Sequence, residues 1–144
     1  MKIMKKAGCK LIIPGIESVD QTILNNIRKG ITVQQIEDYI KNAKKAGIMV
    51  HACYMVGNKG ETKETMQRTL DAALRFKTAT MQFFPLIPYP GTEAYNWAKE
   101  NGYIQHGYSH YLKEDGTLNC VISTENLSAE ELVSFCAHAR KKYY

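Results

Sequence analysis

The chain has 144 residues, of which 44% are apolar and 23% charged, and a formal net charge of +5, a make-up that fits a soluble domain with one core rather than two. No apolar run approaches the ~20 residues a membrane helix needs, and the four cysteines, Cys9, Cys53, Cys120 and Cys136, are too dispersed for a disulfide framework or a self-contained metal site. A membrane protein, a secreted disulfide scaffold and a zinc module are therefore not expected; a reduced, cytoplasmic protein is.

The first residues, through Ala7-Gly8-Cys9, imitate a lipoprotein processing site, but Lys5 and Lys6 stand where the apolar stretch of such a leader belongs. A short helical piece is expected there. Leu11 to Ile13 then form a short strand closed by Pro14-Gly15. A helix follows near Asp20 to Lys29, with Ile23, Leu24 and Ile27 inward and Gly30 as its left-handed stop. Thr32 and Gln35 form a capping-box pattern for a second helix through Ala46, whose stripe of Val33, Ile36, Ile40 and Ala43 packs on a sheet.

The run Ile48 to Val56 breaks its apolar character only at His51, as a parallel strand covered on both faces does. Thr62 caps the next helix, with Met66, Leu70, Ala73 and Leu74 inward; a third strand near Thr80 to Pro85 leads to Thr92 and a short helix through Asn101. Strand starts recur about every 30–40 residues with helices between them, so the strands are parallel with right-handed crossovers. Beyond Gly102 the pattern changes to a Tyr- and His-rich stretch with a hairpin turn at Glu114-Asp115-Gly116, between Tyr111-Leu112 and Cys120-Val121-Ile122. Ser128 and Glu131 form another capping box for a final helix with Leu132, Cys136, Ala139 and Tyr143 inward. The expected organisation is βα units over residues 1–102 and a C-terminal appendage over 103–144.

Three parallel strands leave open edges and cannot close a barrel, which points to a larger protein or to self-association, most simply as a two-fold homodimer. Lys and Arg are scattered through the helices and cluster only at Arg140, Lys141 and Lys142. That distribution reads as solvated helix faces and a basic tail rather than a nucleic-acid footprint.

Polar groups collect where strands end and helices begin, the place where α/β folds hold ligands. Glu17 and Ser18 follow Gly15; they can bind an amine or a sugar hydroxyl, or serve only the start of the next helix. Lys29 fits a helix-end cation. Period two places His51, Cys53, Met55 and Gly57 on one strand face, open to ligand, and Val50, Ala52, Tyr54 and Val56 on the other, against helices. His51 is either a ligand group or a satisfied core histidine. The loop Gly57-Asn58-Lys59-Gly60-Glu61-Thr62 can cradle an anion or an adenine edge with its N–H groups, but it is not a phosphate-binding P-loop. Pro85, Pro88 and Pro90 stiffen the third strand end, as a support for a flat heterocycle or as a structural corner.

Taken in order, Gly-Ile-Glu-Ser, Ile-Arg-Lys-Gly, the stretch Ala46 to Thr62 and Pro-Tyr-Pro-Gly-Thr-Glu-Ala-Tyr resemble the second half of a radical S-adenosylmethionine enzyme core. The likeness is to the iron–sulfur oxidoreductase subgroup, which includes cobalamin-dependent members and anaerobic magnesium-protoporphyrin ester cyclases. The resemblance implies an α/β fold made of the last three units of a partial (β/α)6 barrel. It also implies an enzyme that reductively cleaves S-adenosylmethionine to a 5′-deoxyadenosyl radical and abstracts hydrogen from a small-molecule substrate. By the same resemblance Glu17 and Ser18 contact the ribose or amino acid end, Lys29 lies near the carboxylate, and Cys53 and Met55 line the adenosyl pocket. Gly57, Asn58, Gly60, Glu61 and Ile87 approach the adenine. The family holds its four-iron four-sulfur cluster with Cys-x-x-x-Cys-x-x-Cys, which this chain lacks, and it often has Pro where Lys59 stands. The cluster, and cobalamin where it is used, then belong to the full-length parent. Two other readings are a non-catalytic module with relic motifs and half of a phosphate-binding (β/α)8 enzyme, the latter disfavoured by the absent phosphate loop.

Overall fold

The structure, a computed structural model, describes residues 1–116 and 119–144; two of the residues between the expected hairpin turn and its return limb lie outside them. In chain order the elements are α1 (Lys2–Lys6), β1 (Leu11–Ile12), β2 (Gly15–Glu17), α2 (Gln21–Asn26), α3 (Val33–Lys45), β3 (Met49–Val56), α4 (Lys63–Phe76), β4 (Thr80–Pro85), α5 (Glu93–Glu100) and α6 (Ala129–Tyr143). From α2 onward each helix starts where a side chain can take its orphan N–H groups. Asp20 accepts from Thr22 and Ile23, Thr92 accepts from Tyr95, and reciprocal capping boxes join Thr32 with Gln35, Thr62 with Thr65 and Ser128 with Glu131.

β3 is the central strand, parallel to β1 and β2 and, through Val56, to β4. The Met49 N–H bonds Lys10 O (2.9 Å) and the Cys53 N–H bonds Pro14 O (3.2 Å). Donors four residues apart point the same way along a strand, so β1 and β2 are two pieces of one strand on one side of β3, with β4 on the other. The first strand therefore does not close at Pro14-Gly15 as expected. Proline lacks a donor but keeps its carbonyl, and pairing resumes to Glu17. There the register slips, since Gly15 opposes Cys53 while Glu17 opposes Tyr54, and the bulge puts Glu17 at φ 67°.

The two faces of β3 differ as period two requires. Val50, Ala52, Tyr54 and Val56 are buried against Ile36, Ile40 and Ala43 of α3, Met66, Leu70 and Ala73 of α4, and Leu132 of α6. His51, Cys53 and Met55 are only half-buried. The expectation of cover on both faces is thus corrected: the helices of the core lie on one face and leave the other uncovered.

After Gly102 the chain turns at Lys113–Gly116, where Gly116 N–H bonds Lys113 O and Asn119 N–H bonds Tyr111 O, both 2.9 Å. Residues 121–123 then pair with 103–105, through Gln105 N–H to Val121 O (2.9 Å) and Ser123 N–H to Tyr103 O (3.0 Å), rather than with Leu112. α6 packs Phe135 edge-on against Phe83 (centroids 5.7 Å apart), which stacks on Tyr54 at 4.7 Å. The Tyr144 hydroxyl accepts from Met81 N–H and donates to Met81 O, both at 3.1 Å. In a parallel strand the N–H and C=O of one residue point to the same side, so Tyr144 occupies backbone groups on the edge of β4 away from β3. An open edge invites strand addition, and here a side chain blunts it.

Tyr144→Phe should leave Met81 N–H unpaired. Its amide is then expected to exchange about tenfold faster, as loss of a ~1.4 kcal/mol hydrogen bond requires, while the Leu86 amide, held by Val56 O, keeps its rate. Residue-resolved hydrogen exchange reads both.

Candidate functional site

The C-terminal ends of β2, β3 and β4 meet at a cleft of ≈ 550 Å³ that Glu17, Lys29, Met55, Asn58, Leu86 and Trp97 help to line. The bulge at Glu17 turns its carboxylate toward Lys29, and Glu17 Oε1 accepts from Lys29 Nζ at 3.0 Å. Both side chains are largely shielded, Lys29 being 31% and Glu17 19% exposed. A Cβ on Gly15 would stand 2.6 Å from Glu17 Oε1 and 3.4 Å from Lys29 Nζ, so glycine is what gives the pair its room. The left-handed Glu17 backbone costs ~1–3 kcal/mol. Burial, with a smaller contribution from the nearby negative charge of Glu17, pushes the Cys53 thiol up and keeps it neutral.

The opposite part of the cleft is the loop after β3, built around Glu61. Its Oε2 accepts from the Gly57 N–H (2.7 Å), the Asn58 N–H (3.0 Å) and Asn58 Nδ2 (3.4 Å), and Asn58 Nδ2 also reaches Met55 O (2.9 Å). The loop is tied outward as well: Asn26 Nδ2 donates to Lys59 O (2.9 Å) and Asn126 Nδ2 to Glu61 O (3.2 Å). Gly57 is demanded twice, by φ 89° and because a Cβ would stand 2.9 Å from Leu132 Cδ1. Glu61 is buried, and its Oε1 has no hydrogen-bond partner.

The cleft thus gathers Glu17, Lys29, Met55 and Asn58 from the residues singled out in the sequence, with Cys53 on the same strand face. Ser18 is elsewhere: it is fully buried, with its hydroxyl 3.2 Å from Thr69 Oγ1 and accepting from Asp20 N–H at 3.1 Å. It holds the elbow in place from behind and cannot touch a ligand in this arrangement. Glu61 likewise shapes the loop from inside, Gly57 faces α6, Gly60 abuts Asn26, and Ile87 packs against the core. His51 sits at the other end of β3, its Nδ1 2.6 Å from Thr80 Oγ1, a satisfied histidine. Asn26, Arg28 and Trp97, to which no motif assigns a role, also line the cleft. Arg28 at φ 53° reaches Glu93 at 2.5 Å. With both side chains 76% exposed that pair adds little stability, but it joins the end of α2 to the start of α5 at the cleft.

Burial pushes the Glu61 carboxyl from the usual 4.5 up to about 7, against the pull of its N–H donors. The folded state therefore holds this proton more tightly than the unfolded one. The stability it contributes is fully present below pH 4.5 and is lost as pH rises toward 7. Thermal melts across that window should show the decline for the native chain and a flatter profile for Glu61→Gln; parallel profiles would show that Glu61 does not titrate there.

The profile of the Radical SAM superfamily matches residues 1–73. An uncharacterized methyltransferase of Pyrococcus horikoshii is 31% identical over 143 residues, covering 99% of this chain and 30% of that protein. Bacteriochlorophyllide d C-8(2)-methyltransferase of Chlorobaculum tepidum is 30% identical over 111 residues, covering 72% of this chain and 24% of that protein. The chain thus spans a quarter to a third of the length of these curated relatives. Among solved structures, archaeal Elp3 of Methanocaldococcus infernus superposes with a TM-score of 0.65 at 18% identity over 96% of this chain and 38% of that one. The radical S-adenosylmethionine methyltransferase TsrM of Kitasatospora setae, with cobalamin and a [4Fe-4S] cluster bound, gives 0.59 at 20% identity over 90% and 26%. Those two likenesses establish the fold, and the profile match takes in Glu17, Lys29, Met55 and Asn58 of the cleft: the chain belongs to the radical S-adenosylmethionine superfamily.

Proposed function

We propose that this chain supplies one wall of an S-adenosylmethionine pocket in a radical enzyme whose iron–sulfur cluster is held by residues outside it. The observation that carries this reading is the Glu17–Lys29 pair, shielded at a strand end and set in the cleft by a strained bulge. S-adenosylmethionine, bound together with a reduced four-iron four-sulfur cluster, supplies the radical chemistry of the superfamily. Lys29 offers an ammonium to the carboxylate of the methionyl end, and Glu17 accepts from the amino group or the ribose hydroxyls. Met55 and Leu86 give an apolar floor, and the loop at Asn58 and Lys59 presents backbone groups to the adenine. Ser18 and Glu61 act by position, fixing the elbow and the loop. A relic module would have no reason to keep a left-handed glutamate paired at the cleft.

The residues present do not fit the cluster. An iron–sulfur cluster needs thiolates around it, and among the described residues no three His, Cys, Asp or Glu side chains converge. Burial also keeps the Cys120 and Cys136 thiols neutral, the latter pushed up to about 12. The whole protein would act on a small molecule, by hydrogen abstraction or, as the methyltransferase relatives suggest, by methyl transfer with cobalamin as a further cofactor. The uncovered face bearing His51, Cys53 and Met55 is where further barrel strands, or a second copy in a homodimer, would pack.

Glu17→Ala and Lys29→Ala should each weaken S-adenosylmethionine binding by about one to two decades, the cost of stripping a partner from a shielded polar contact, whereas Lys113→Ala should not. Calorimetric titration measures this; unchanged affinity in both site variants would return Glu17 and Lys29 to a helix-end role. Anaerobic reconstitution followed by iron and sulfide analysis should leave the chain far short of about four irons; retention of a full cluster after desalting would overturn the division of labour.

A further inference from the structure

The end of the sheet opposite the cleft has a different character. α1, α3, α4 and α6 all finish there, and their last turns carry Lys5, Lys44, Arg75 and the run Arg140, Lys141 and Lys142. No Asp or Glu occurs in those turns or in the connections 7–10, 46–48 and 77–79. Side chains stitch the helix ends together: Lys5 Nζ donates to Gly47 O (2.5 Å), Lys44 Nζ to Phe76 O, and the Tyr143 hydroxyl to Thr78 O. Between Lys44 and Lys77 runs a groove of ≈ 330 Å³ floored by Ile48 and Met49.

Cations at helix ends also offset helix dipoles, which accounts for part of this pattern, but Lys77, the C-cap of α4, adds a strained backbone to it. It lies beyond the end of α4, in the left-handed region at φ 44°, where the ends of α3 and α5 use Gly47 and Gly102. A non-glycine residue there is strained, so the exposed Lys77 ammonium is kept at a cost to the fold. Tyr144, 70% exposed, lies on the outer edge of β4 with its ring centroid 5.2 Å from that of Tyr143, which bonds the groove residue Thr78.

We infer that this face docks single-stranded nucleic acid, its phosphates along the groove between Lys44 and Lys77 and a base against the Tyr144 ring. Cations along a groove with an aromatic ring beside them match such a strand. Dispersed in the sequence, the charges are gathered only by the fold.

Fluorescence anisotropy with a labelled oligouridylate of about 20 nucleotides, a length spanning one or more binding sites, tests this on the full chain. Lys44→Gln/Lys77→Gly is compared with Lys99→Gln/Lys113→Gln, which removes the same charge elsewhere. The first pair should lose about tenfold in affinity, with a salt slope shallower by roughly 1.4 for two lost phosphate contacts, while the control pair keeps both. Lys77→Gly alone should bind more weakly yet melt higher, by about 2–4 °C, a combination that a purely structural lysine would not give. Equal losses in the two pairs would reduce the effect to net charge. Absence of binding at low salt would overturn the proposal, as would loss of binding to phosphatidylserine vesicles, but not to oligouridylate, in the first pair.

Discussion

Parallel pairing on both sides of β3 is the constraint from which the rest of the molecule follows. It sends the connections across one face as helices, so Val50, Ala52, Tyr54 and Val56 are buried while His51, Cys53 and Met55 stay half-covered. It also brings the strand C-termini to one end of the sheet, and with them the cleft. The ends of α1, α3, α4 and α6 fall at the other end, so the same topology segregates acidic first turns, such as those holding Glu64, Glu130 and Glu131, from basic last turns.

Within that frame two glutamates do opposite work. Glu61 is buried and spends one oxygen on the loop's N–H groups, fixing the backbone that a ligand would meet. Glu17 is held in a left-handed conformation with its carboxylate against Lys29. Strain of this kind persists where surrounding structure over-determines it. Here the over-determination is visible: β3 fixes the bulge, Ser18 is locked to Thr69 behind it, and the missing side chain of Gly15 leaves the space.

Much of the fold was legible because its signals are local. The boxes at Thr32 with Gln35 and Ser128 with Glu131 formed as read, and the period-two division sorted β3 correctly from Val50 to Val56, but not Gly57, which lies past the strand's end and turns toward α6. What escaped depends on residues far apart in the chain. Pro14 does not stop its strand because Cys53 uses its carbonyl, and Ser18 is withdrawn from the cleft by Thr69, 51 residues away. The 121–123 segment pairs with 103–105, and a tyrosine hydroxyl blunts the β4 edge. Trp97 enters the cleft only because α5 leans over the strand ends, which no local pattern encodes. Three polar turns in succession at strand ends already suggested one site, and resemblance added the ligand proposed for it.

The account stands on the assignment of that cleft to S-adenosylmethionine, with this chain forming one wall. Titration of the isotope-labelled chain with S-adenosylmethionine, followed by backbone amide NMR, tests it residue by residue. The account predicts that the largest shifts fall at Glu17, Lys29, Met55, Asn58 and Lys59, while amides at the far end, such as Lys45 and Lys77, stay unmoved. Shifts centred elsewhere, or none at saturating S-adenosylmethionine, would contradict it.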